Sequence, residues 1–231
     1  MNTPLPKQFY LGLHIGSLLV LGLVLTGCST TKPSEAETDF QPNNVYVSAA
    51  VLPKQVKRVA MLPVTADETY TALHEGREEL EPVLTRELIK AKRFEIVRLT
   101  PEALRRCTGR ADWTAEETLP AEMLGALHDT YGCDAVLFSQ LTVFHASPPL
   151  AVGWRMKLVD ISTGQILWAS DEVFHAAGYV AKTPAPAWCS PLTLLAEPEP
   201  DQLDIEWKMD NSPRLFAEYA LAQLLATLPA R

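Results

Sequence analysis

Four consecutive apolar residues, Ala135-Val136-Leu137-Phe138, sit inside the strongest strand pattern of the chain, Ala135 to His145. Side chains of a strand alternate between two faces, so a run apolar at every position has to be covered on both sides. That excludes a sheet with one wet face at this strand and calls for helices packed against it. After Pro148-Pro149 the pattern changes to clean alternation, Trp154-Arg155-Met156-Lys157-Leu158. Trp154, Met156 and Leu158 then face inward, and Arg155 and Lys157 outward. Asp160-Ile161-Ser162-Thr163-Gly164 supplies a turn, because Asp160 can accept from amides ahead of it and Gly164 can take positive φ. The returning strand is Gln165 to Ser170, extending toward Phe174, with Trp168 read as hairpin core.

The rest of the pattern surrounds that hairpin. Val59-Ala60-Met61-Leu62-Pro63-Val64 is a short buried-strand run. Leu80, Val83, Leu84, Leu88 and Ala91 follow helical spacing, secure from Pro82 to about Lys92 because a proline starts or kinks a helix. Phe94 to Leu99 alternates as a strand. Thr100-Pro101 reads as an N-cap and first helical position for a helix through Arg106. Gly109 to Glu117 is a loop; Pro120 opens a helix with Met123, Leu124, Leu127 and Tyr131 on one face, stopped at Gly132. Ser212-Pro213 opens a C-terminal helix carrying Leu215, Phe216, Tyr219, Ala220, Leu224 and Leu228. The order β-α-β-α-α-β-β-β-loop-α predicts an α/β (α+β) fold. Its mixed sheet is parallel where helices intervene and antiparallel at the hairpin, with helices packed on it.

The amino-terminal segment obeys different rules. Lys7 precedes an almost wholly apolar stretch, Leu11 to Leu25, and no acidic residue occurs before Glu35. This is a signal h-region, shorter than the roughly 20 apolar residues of a membrane span. It ends in Leu25-Thr26-Gly27-Cys28, which resembles the bacterial lipobox. The resemblance implies removal of residues 1–27, lipidation of Cys28 and, since Ser29 rather than Asp follows, sorting to the outer membrane. Residues 28–55 read as the lipidated terminus and a polar tether, and 56–231 as the periplasmic domain.

The 204 residues from Cys28 to Arg231 suffice for one core. They carry 19 basic and 28 acidic residues, a net charge of −9, which argues against nucleic-acid binding and against a body that adheres to anionic lipid, the acyl chains supplying the anchor. Cys107, Cys133 and Cys189 remain beyond Cys28, enough for one disulfide or for none, and they lack C-x-x-C spacing.

Two stretches carry a family likeness. Val59 to Val64 opens the domain; Gly132-Cys133-Asp134-Ala135-Val136-Leu137 leads into the hairpin Leu158 to Trp168. Together they resemble the periplasmic α/β domain of curli-secretion lipoproteins and of the lipoproteins that activate penicillin-binding proteins. The amino-terminal domain of the Tol-system β-propeller protein is built similarly. The likeness specifies architecture better than activity. It departs from a curli-type pore in that the good strands are all needed by the domain's own sheet, leaving none for a membrane barrel.

No G-x-S-x-G, H-E-x-x-H or phosphate-cradling glycine loop occurs. His145 and His175 flank the antiparallel strands and could meet, against the plainer reading of solvated strand ends. Glu75, Glu78, Glu79 and Glu81 read as a wet helix face. Basic residues gather at Lys54, Lys57, Arg58 and at Lys90, Lys92, Arg93, either as ordinary surface charge or facing an acidic partner. Residues 181–200 hold five prolines and form a long loop. Its Trp188, Leu192, Leu194 and Leu195 suit a partner-binding element, and equally a loop folded back on the domain. The expectation is a non-enzymatic, lipid-anchored envelope protein without cofactor or metal that binds or assembles an envelope complex, with homo-oligomers allowed. The alternatives are a curli-type channel component and a cell-wall hydrolase.

Overall fold

The computed structural model describes residues 42–117, 120–176 and 211–231, all within the compact unit Thr38–Arg231. The strands are β1 Val45–Val47, β2 Arg58–Met61, β3 Thr65–Ala66, β4 Glu95–Arg98, β5 Ala135–His145, β6 Ala151–Asp160 and β7 Ile166–His175. The helices are α1 Thr71–Ala91, α2 Pro101–Thr108, α3 Ala121–Tyr131 and α4 Pro213–Ala226. One mixed sheet runs β1-β7-β6-β5-β2-β4, with β3 also paired to β5. β2 pairs in parallel with β4 and β5, while β5, β6, β7 and β1 are antiparallel in turn. The expected α/β class and the hairpin are both present.

Alternation along the central strands divides the core in two. Val59, Met61, Ala135 and Leu137 point to one face, under α1 and α4; Ala60, Leu62, Val136 and Phe138 point to the other, under α2 and α3. Trp154, Met156, Leu158 and Trp168 fill the first face with essentially no exposure, and Trp168 Nε1 donates to Thr227 Oγ1 at 2.9 Å. At Gly76 the helix α1 closes on β5: a Cβ there would lie 2.5 Å from the Phe144 ring. A charge network also ties α1 to α4. Arg86 and Lys90 reach Glu218 at 2.7 and 2.8 Å, and Lys90 reaches the buried Glu87 at 2.9 Å.

Local signals act where expected. Thr100 Oγ1 accepts from Ala103 N–H at 3.1 Å and caps α2, and α3 runs from Pro120 to a stop at Gly132. Asp160 Oδ1 accepts from Ser162 N–H and Thr163 N–H at 2.8 and 3.0 Å, with Gly164 at φ 70° closing the turn.

Three expectations need correction. Helix α1 begins at Thr71 and carries Pro82 inside it. The stripe Gly76, Leu80, Val83, Leu84, Leu88 continues across the proline against the sheet, and that packing offsets the lost amide donor. The fold also begins before Val56: β1 lies in the stretch read as tether and adds an edge to β7, and Val51 forms a bridge with Ala230. Leu215 of α4 is 37% exposed, so it stands outside the buried stripe of that helix.

Candidate functional site

The chain leaves β2 toward α1 on one face of the sheet and leaves β4 toward α2 on the other. Divergence of two such loops at the carboxyl ends of neighbouring parallel strands opens a crevice, the usual ligand position in α/β sheets. A cleft of about 490 Å³ occupies that place. Pro63, Val64, Arg98 and Leu99 come from the strand ends, Arg77, Glu78 and Glu81 from α1, and Thr100 and Pro101 from the start of α2.

Its charged groups are already engaged with one another or with neighbours. Arg98 meets Glu81 at 3.1 Å, Glu78 meets His74 at 3.4 Å, and Arg77 lies 3.1 Å from His74 Nδ1 and 3.9 Å from Glu68. Thr100 Oγ1 is committed to the helix cap. The cleft therefore offers charged hydrogen-bonding groups to a polar ligand or peptide, but no nucleophile paired with a base. The sequence signal that could have found it is Leu99-Thr100-Pro101, a parallel strand end running directly into a capped helix.

A second feature is the face of β6, β7 and β1 that lies on the α2–α3 side. Its cross-strand rows are His145–Ala151–His175, Val143–Gly153–Val173, Gln140–Arg155–Asp171 and Phe138–Lys157–Ala169–Tyr46. Arg155 and Lys157, expected to face water, are only half-exposed because the loop before α3 lies over them. Arg155 pairs with Glu116 and with Asp171, the latter at 2.8 Å; Lys157 Nζ donates to Glu117 O at 2.9 Å and stands 5.1 Å from the Phe138 ring centre. Burial holds the Lys157 ammonium below its ordinary range, against the pull of Glu117. The hydrogen bond from Arg110 holds the Glu117 carboxyl low.

His145 and His175 share a row with Ala151 between them, and both are exposed. Among the described residues no group of three His, Cys, Asp or Glu side chains could hold a metal ion. Cys107 and Cys133 are free thiols, and burial pushes Cys133 up. Cys28, Cys189 and the expected partner-binding residues Trp188, Leu192, Leu194 and Leu195 lie outside the described residues. Among those described, no helix is long and apolar enough to cross a membrane.

No protein-family model and no curated protein sequence matches the chain. Among solved structures it is similar to the PelC dodecamer from Paraburkholderia phytofirmans, at 14% identity over 81% of this chain and 96% of that one, with TM-score 0.46. It is similar also to lipoprotein GNA1162 from Neisseria meningitidis, at 16% identity, 51% and 79% coverage and TM-score 0.35. The LpoB C-terminal domain from Salmonella enterica gives 16% identity, 52% and 82% coverage and TM-score 0.34.

Proposed function

We propose that this chain is a non-enzymatic envelope protein, held to the outer membrane by acyl chains on Cys28, that binds or helps assemble an envelope protein complex. The observation that carries the reading is Leu25-Thr26-Gly27-Cys28 directly behind a signal h-region. Acyl chains add about 0.8 kcal/mol for each buried methylene, so two or three of them anchor stably. The binding role is supported by the cleft at the strand ends, which gathers charged hydrogen-bonding side chains from α1 and β4. The contact with a partner is assigned to Trp188, Leu192, Leu194 and Leu195, an aromatic and three leucines in a proline-rich segment.

A channel reading is weaker because the three longest described strands, β5, β6 and β7, each have a sheet neighbour on both sides. The test is cross-linking of the full-length chain in its native cells, followed by recovery, beside a Cys28→Ala form. One envelope complex recovered only with Cys28 intact supports the reading. Recovery of the chain alone as a closed ring with membrane strands would replace it by the channel, and no enrichment at all would remove the partner.

A further inference from the structure

The two basic clusters, more than thirty residues apart in sequence, meet at one end of the fold. Glu95 N–H donates to Lys57 O at 2.8 Å, and Arg231 Nη1 donates to Val56 O at 3.1 Å and to Arg93 O at 2.8 Å. The loop before β2, the turn after α1 and the last residue are thereby one surface. Lys54, Lys57, Lys92 and Arg231 are exposed there and Arg93 is half-buried. None of these five cations forms an ion pair with a described carboxylate. The carboxylates at this end are otherwise engaged: Glu95 with Arg58 at 3.3 Å, and Asp134 with the Lys57 and Arg58 amides at 2.9 Å. These five cations stand outside ion pairs in a chain of net charge −8, and they outnumber the one nearby carboxylate, Asp134, that is bonded to amides and to no cation. Two aliphatic side chains flank them, Val51 at 54% and Ile89 at 60% exposure.

The composition of the patch selects its occupant. Protein interfaces are depleted in lysine and centre on aromatic and arginine anchors in pockets, whereas this end carries three lysines and only two isolated aliphatics. Flexible lysines beside isolated aliphatics suit a bilayer surface, where ammonium groups meet anionic headgroups and short apolar side chains dip between them. The fourteen residues 28–41 extend to about 50 Å at most, so a chain anchored at Cys28 can bring this end to the membrane. We propose that this basic end seats the domain on anionic lipid headgroups, while the acidic remainder is turned away from them. The proposal rests on the anchoring reading and adds an orientation to it.

The test uses the full chain purified from its own membranes and reconstituted into phosphatidylglycerol or phosphatidylcholine vesicles. A brief pulse of an amine-acylating reagent is read lysine by lysine by mass spectrometry, with Lys157 as internal reference. Labelling of Lys54, Lys57 and Lys92 should fall about tenfold in phosphatidylglycerol relative to phosphatidylcholine and recover in high salt. The double variant Lys54→Glu, Lys57→Glu should lose the protection of Lys92. Equal labelling in the two vesicles, or protection that ignores salt, overturns the proposal. Protection found only in native envelopes also overturns it, by assigning the patch to an acidic protein. Co-flotation separates the two readings: a chain that floats with neither vesicle has no anchor. Its patch is then read by sedimentation with phosphatidylglycerol vesicles in low salt, where binding lost in the double variant supports the proposal and no binding overturns it.

Discussion

The two faces of the sheet are unequal. Under α1 and α4, twenty-nine buried apolar residues form one cluster that spans β2, β5, β6 and β7; under α2 and α3, thirteen form a cluster over β2, β5 and the end of β6 at Val159. Beyond that cluster, on β6, β7 and β1, side chains are charged, small or partly wet, and no described helix covers them. The difference teaches where stability is concentrated. The long-helix face carries most of the hydrophobic driving force, at roughly 1.5–3 kcal/mol for each large buried side chain. The other face can vary at far smaller cost to the fold.

The sharpest way to break this comparison is to truncate one aromatic residue on each face. Trp168→Ala should lose about 3–5 kcal/mol in urea unfolding, since it removes a fully buried indole and its bond to Thr227. Tyr46→Ala, at 56% exposure on the other face, should stay within about 0.5 kcal/mol. Comparable losses would mean that the second face is as tightly packed as the first.

Next come two glycines in helices. Gly76→Ala forces a methyl against the Phe144 ring and should cost about 1–3 kcal/mol. Gly125→Ala in α3 meets nothing within 4 Å and should stabilise by about 0.5–1 kcal/mol through helix propensity, both read from thermal unfolding.

The smallest effect sharpens the electrostatic side. Burial pushes the Glu218 carboxyl up, but the Lys90 hydrogen bond and the Lys90 and Arg86 charges more than reverse this, leaving it below its ordinary 4.5. A depressed folded pKa gives stability that is fully present above pH 4.5 and is lost as pH falls through the folded value. Burial works to lower Lys90, and its bonds to Glu218 and Glu87 raise it overall, so its share is lost only as pH rises through a value above 10.5. Glu218→Gln should cost about 1–2 kcal/mol at neutral pH and flatten the acid limb of the stability profile. An unchanged acid limb would show that the α1–α4 network contributes nothing measurable.

Much of this was legible in the residues. Strand β5, the Asp160–Gly164 turn, the Thr100 cap and the burial of Trp168 each rest on local chemistry that tertiary context leaves alone. What escaped was set by partners distant in sequence. The three residues of β1 have no periodicity, and their strand conformation comes from the open edge of β7. The first half of α1 was hidden behind Pro82, whose local penalty is outweighed by packing on β5. The cleft showed in the sequence only as Leu99-Thr100-Pro101, because Arg77 and Arg98, twenty-one residues apart, come to line one crevice only once the strands are paired and α1 is packed. The basic end was present as two separate runs, joined by the β2–β4 pairing and by the Arg231 clasp.

That clasp also imposes an order in time. A chain emerges from its amino terminus, and every residue of the smaller cluster lies between Ala60 and Val159, so that half can condense early. The larger cluster waits for Phe216 to Leu228, and the segment from Ala50 to Val56 waits longer, until Ala230 and Arg231 arrive to bond it. Contacts across so much sequence form slowly and leave apolar surface uncovered meanwhile. A newborn copy halted before α4 would therefore present the underside of β6 and β7, Trp154 and Trp168 included, to whatever escorts it.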